Sequence, residues 1–121
     1  MSIVEIHGWL GKAALVYFLA LAVWGLARFA RRQGVSEGYW WGLVIAELLV
    51  LAQGGLGAYL WYSGQRPAQE THVLCGFASG LAIPIIYVST KGRERQAEML
   101  IYGVTALVIA GLVLQAIVTA G

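Results

Sequence analysis

The chain has 121 residues, of which 60% are hydrophobic and only 12% charged, with a formal net charge of +2. A soluble domain carries about 25% charged residues, so too few are present to coat a water-facing surface, and the small, scattered positive charge excludes a nucleic-acid-binding role. The length suits a single domain over residues 1–121, and a lone cysteine, Cys75, rules out an internal disulfide.

Crossing a hydrocarbon core of about 30 Å takes roughly 20 apolar residues as helix. Four such runs follow one another, at about 3–29, 39–62, 70–90 and 97–120. They are continuous and lack the alternation of barrel strands, so each reads as a transmembrane helix. The first carries Glu5 in place of a basic leader and is too long for a signal-peptide core, so it is expected to stay as a permanent helix. The connections are short, which makes sequential helices antiparallel neighbours. The expected fold is an all-α membrane protein, an up-down-up-down bundle of four transmembrane helices.

Basic residues orient the bundle. Arg28, Arg31 and Arg32 flank the first connection, and Lys91, Arg93 and Arg95 the third, whereas the middle one has only Arg66. The positive-inside rule therefore puts segments 28–38 and 91–96 in the cytoplasm, and the middle connection and both termini outside. The expected location is the cytoplasmic membrane of a prokaryote. Trp40 and Trp41 then mark the inner interface, and Trp61 and Tyr62 the outer one.

Within apolar spans the polar residues carry the information, because each costs free energy to bury. They are His7, Lys12, Glu47, Gln53, His72 and Gln115. The chain's only two histidines stand near the outer ends of the first and third helices, which are diagonal in an antiparallel ring. Each opens a His-x-x-x-Gly pattern, His7 with Gly11 and His72 with Gly76, so each imidazole shares a helix face with a missing side chain. A flat porphyrin between helices needs two imidazoles from opposite sides and glycines beside them, and bundle cofactors are held by side chains on facing helices. The expected cofactor is one haem b per chain, its iron bound by His7 and His72. Arg66 is within reach of its propionates, and Gln53 either of its edge or, as a plain hydrogen-bonding link, of a second helix. With both axial positions filled, one-electron transfer is the expected chemistry.

Other readings of the same residues stay open. A histidine at an interface is often a simple polar residue, and Gly76-x-x-x-Gly80 is a common helix-packing pattern. His72 and Cys75, at i and i+3, could instead join His7 and Glu5 or Glu70 around copper or zinc. Glu47, on the second helix toward the inner side, is a candidate proton or quinone site, a hydrogen-bond partner to another helix, an ion-pair partner for another subunit, or the working carboxylate of a small oligomeric transporter. A cofactor-free structural subunit of a membrane complex is a third class.

The His-x-x-x-Gly start recurs 65 residues later (7 to 72), each copy followed by a basic connection and a helix with an early glycine, Gly42 or Gly103. Paired histidines on four short-looped helices resemble small membrane cytochromes b, broadly of the cytochrome b561-like architecture. The resemblance rests on His7, Gly11, His72 and Gly76. It implies electron exchange with quinone or with other membrane redox subunits. Larger members carry two histidine pairs; this chain has one, near the outer face.

Overall fold

The computed structural model describes residues 2–67 and 69–120, all helix and connection with no strand among them. The helices are α1 (Ile3–Ala30), α2 (Glu37–Tyr62), α3 (Thr71–Thr90) and α4 (Gln96–Thr119). All four are long and apolar enough to cross a membrane.

Local chemistry sets the ends. The hydroxyls of Ser2 and Ser36 accept from the backbone N–H groups of Glu5 and Tyr39, capping α1 and α2. Glu98 reaches back to the backbone N–H of Arg95 at the start of α4. Three helices finish in a turn that needs one left-handed residue, with a 6→1 hydrogen bond closing over it: Gln33 to Arg28, Gln65 to Leu60 and Gly92 to Tyr87. That residue is glycine only after α2 (Gly64, φ 89°); after α1 and α3 it is Arg32 (φ 60°) and Lys91 (φ 55°).

The helices form a ring in chain order. Neighbours pack on one another, with α1 closest to α4 and the α2–α3 seam the loosest, while the diagonal pairs make no close backbone approach among the described residues. The tight pair is explained by glycine. A Cβ on Gly25 would lie 2.9 Å from Gly103 Cα, and one on Gly103 would lie 3.1 Å from Leu26 N, so only bare backbones fit there. Around this crossing the core is filled by Phe18, Tyr39, Met99, Tyr102 and Ile109, all fully buried. The Tyr39 hydroxyl, which burial would otherwise leave unsatisfied, donates to Leu21 O at 2.9 Å.

Much of the bundle's outer surface is apolar, with Trp9, Val16, Val23, Trp41, Leu48, Phe77 and Val88 each more than half exposed. At the end opposite the termini, the first and third connections are joined. Val35 N donates to Glu94 O (2.9 Å), Gln96 Nε2 to Phe29 O (2.9 Å), and the Trp40 indole N–H to the Glu94 carboxylate. Arg93 and Arg95 pair with the buried Glu98 carboxylate. Six of the eight basic residues therefore sit on one closed platform.

Candidate functional site

The end that carries the termini is more open, and there the two histidines meet. His7 on α1 and His72 on α3 bring their ring centroids to 6.0 Å at an interplanar angle of 73°. Their helices are diagonal, so the side chains reach across the bundle where the backbones do not.

Each histidine is addressed by the helix that follows its own, His72 at its ring and His7 at its main-chain carbonyl. His72 Nδ1 lies 2.6 Å from Ala116 O on α4. A carbonyl only accepts, so Nδ1 carries the proton, and in the neutral ring Nε2 keeps a free lone pair. On the other side, Gln53 of α2 donates from Nε2 to His7 O at 2.9 Å. His7 Nδ1 and Gln53 Oε1 are both buried, and neither has a hydrogen-bond partner among the described residues.

The glycines do different work from the matched roles that the repeat suggests. Gly11 is buried, and a Cβ there would touch Gln53 Nε2 (3.4 Å) and Ile117 (3.6 Å), so its bareness admits the Gln53 amide instead of a ring. Gly76 faces open space, with no atom within 4 Å of an added Cβ among the described residues. The glycine that abuts an imidazole is Gly57, whose Cβ would lie 3.5 Å from His7 Cε1 and 3.9 Å from Nε2.

Register explains the open space. Gly80 of α3 packs on Val50 of α2, where a Cβ would lie 3.6 Å from Val50 Cγ1. One turn nearer the termini on these antiparallel helices come Gly54 and Gly76, and neither has an atom within 4 Å of an added Cβ among the described residues. Gly54 and Gly76 are both exposed, and each continues by one turn the helix stripe on which Val50 and Gly80 meet. Beyond them, Trp61, Glu70, Val73 and Leu74 line a cleft of about 260 Å³. The Arg66 guanidinium lies over the Trp61 ring, 4.1 Å from its centre, on the wall of that cleft.

The other polar residues lie apart. Lys12 is exposed and lies over the Trp9 ring at 5.4 Å; Gln115 is exposed. Glu47 is half-buried, with Oε1 buried and unpaired among the described residues. It is one turn from Val50 and seven residues after Trp40, which packs on Tyr87 of α3, so it belongs to the α2–α3 side. Cys75 is buried, and no three His, Cys, Asp or Glu side chains cluster to hold an ion among the described residues. A copper or zinc site built from His72, Cys75, His7 and a glutamate is therefore not formed.

The Gln53–Gly57 stretch stands out in the sequence as polar and glycine-rich, but neither the contact of Gly57 with His7 nor that of Ala116 with His72 is foreseen from it. Gly57 is i+4 from Gln53, a spacing that could have placed it on the same face. Ala116 acts through its backbone carbonyl, which leaves no sequence signal. Comparison with protein-family models, with curated proteins and with solved structures finds no match.

Proposed function

We propose that the chain is an integral membrane electron-transfer protein that binds one haem b through His7 and His72. The observation that carries this reading is the 6.0 Å meeting of the two imidazoles across the diagonal of the bundle. Two imidazoles that ligate one ion from opposite sides, with bonds of about 2 Å, hold their ring centres roughly 6 Å apart. The proton that His72 must keep on Nδ1 is the arrangement metal-binding histidines adopt when a carbonyl holds the far nitrogen.

Some of the surroundings favour a flat ring. Gly57 leaves space beside His7 Nε2, and Gly76, one turn from His72, has open space beside it. The 260 Å³ cleft is smaller than the ~300–1,000 Å³ of ordinary small-molecule sites, so seating a macrocycle requires α2 and α3 to part further. Theirs is the least closely packed seam of the ring. Arg66 offers a cation for propionates at its mouth. When bound, the haem supplies one-electron ferric–ferrous exchange. The chain's own part is to hold both imidazoles and exclude other iron ligands.

The apolar exterior fits lipid, and the basic platform fits the cytoplasmic side of a prokaryotic inner membrane, with both termini outside. A periplasm-active reporter fused to the C-terminus should be active and a cytoplasm-dependent one silent; the reverse contradicts this orientation. Electrons would pass between quinone or an outer partner and another membrane subunit, or a second copy of the chain.

Haem is tested on the purified protein by a reduced-minus-oxidised spectrum and a pyridine haemochrome assay. A b-type band that disappears in His7→Ala and His72→Ala supports the reading. Absence of the band, or its survival in both variants, overturns it. The unpaired Glu47 carboxyl favours a second reading, a cofactor-free transporter. Transport lost in Glu47→Gln and kept in both histidine variants would select it.

A further inference from the structure

We infer that Gln53 is a positioning residue that fixes the tautomer of His7, so that both histidines keep their proton on Nδ1 and present a bare Nε2. The use of those nitrogens as ligands rests on the haem reading; the tautomer itself does not.

The orientation of the Gln53 amide is the first step. Its nitrogen donates to His7 O at 2.9 Å, and the flipped amide would set two carbonyl oxygens against each other. The oxygen is therefore Oε1, buried and without a donor among the described residues. His7 Nδ1 is the other buried, unpaired atom at the same residue pair. Leaving both unmade costs the desolvation of two polar groups, about 1–3 kcal/mol each. The structure does not join these two atoms; a rotation of the imidazole that brings Nδ1 onto Oε1 would satisfy both with one hydrogen bond. Because an amide oxygen only accepts, Nδ1 must donate, and Nε2 is left bare.

The same tautomer follows for His72 from Ala116 O. The two halves of the chain thus reach one result by different means, a side-chain amide from α2 and a main-chain carbonyl from α4. Gly11 now has a reason: its Cβ would stand 3.4 Å from the Gln53 nitrogen, and any larger side chain would drive the amide off. The His-x-x-x-Gly pattern of α1 is a histidine with the vacancy that admits its positioning residue.

The test needs no bound metal. The whole chain, with ring-¹⁵N histidine and no metal or haem added, is studied by NMR in lipid nanodiscs at about pH 8, above the usual imidazole pKa of about 6.5. Both histidines should show a protonated Nδ1 and a bare Nε2. In Gln53→Leu the His7 signals should move toward the Nε2-protonated form while those of His72 stay. If Gln53→Leu does not fold, Gly11→Val displaces the same amide and should move His7 in the same way. A wild-type His7 protonated on Nε2, or a His7 unmoved when the amide is lost or displaced, overturns the inference. The expected tautomers in a protein that takes up no haem would uphold it while removing the ligand reading.

Discussion

Gly25 and Gly103 touch backbone to backbone, and this contact sets α1 against α4 more closely than any other pair in the ring. A Cβ on Gly25 would also come within 2.6 Å of the Tyr39 hydroxyl, whose hydrogen bond to Leu21 O would have to move. Neither obstacle is the flexible end of a side chain.

Gly25→Ala should therefore destabilise the bundle by ~1–3 kcal/mol, the usual cost of overpacking. Gly111→Ala, at an exposed position with nothing within 4 Å among the described residues, should instead be neutral or gain up to ~1 kcal/mol from helix propensity. Thermal unfolding followed by circular dichroism in detergent checks both. Equal effects would mean that the Gly25–Gly103 approach is not tight.

Arg32 and Lys91 hold left-handed conformations that cost a side-chain-bearing residue about 1–2 kcal/mol. Arg32→Gly and Lys91→Gly should each raise stability by ~1 kcal/mol, after allowance for the greater freedom of glycine in the unfolded chain. The same unfolding measurement decides. A loss would mean that these side chains make stabilising contacts that outweigh the strain.

Glu47 places a carboxyl with one unpaired buried oxygen against the α2–α3 seam. Replacing it by leucine removes a desolvated polar group, so Glu47→Leu should stabilise by ~1 kcal/mol or more. If the protein instead loses stability, Glu47 has a partner that would show as non-additive effects in a double-mutant cycle.

Gly57→Leu adds a side chain whose Cβ would lie 3.9 Å from His7 Nε2. The variant should remain folded yet lose most of any b-type absorbance, whereas Gly55→Leu, in open space two residues away, should keep it. Spectra normalised to protein, with circular dichroism as the folding control, separate the two. Equal absorbance in both would take Gly57 out of the site.

Four helices and their limits could be read from sequence because the signal is local. Runs of apolar residues, serines before α1 and α2, and the glycine after α2 act within a turn or two of where they stand. The observed bounds fall within two residues of those expected. The pairing of His7 with His72 was legible for a related reason: short connections make the ring order nearly obligatory, and equal depth then brings diagonal residues together.

What each histidine touches could not be read that way. Two identical His-x-x-x-Gly strings ended in different environments, Gly11 filled by an amide from α2 and Gly76 facing open space. A glycine specifies only that a side chain is missing; which neighbour uses the space depends on how far the helices stand apart. That separation is decided across the whole ring, by the Gly25–Gly103 contact on one side and the loose α2–α3 seam on the other. Composition and periodicity were enough to determine four apolar helices with a histidine pair at one end. Only tertiary packing decided that Gln53 and Ala116 meet that pair, and that Gly11 and Gly57 abut its surroundings while Gly76 faces open space.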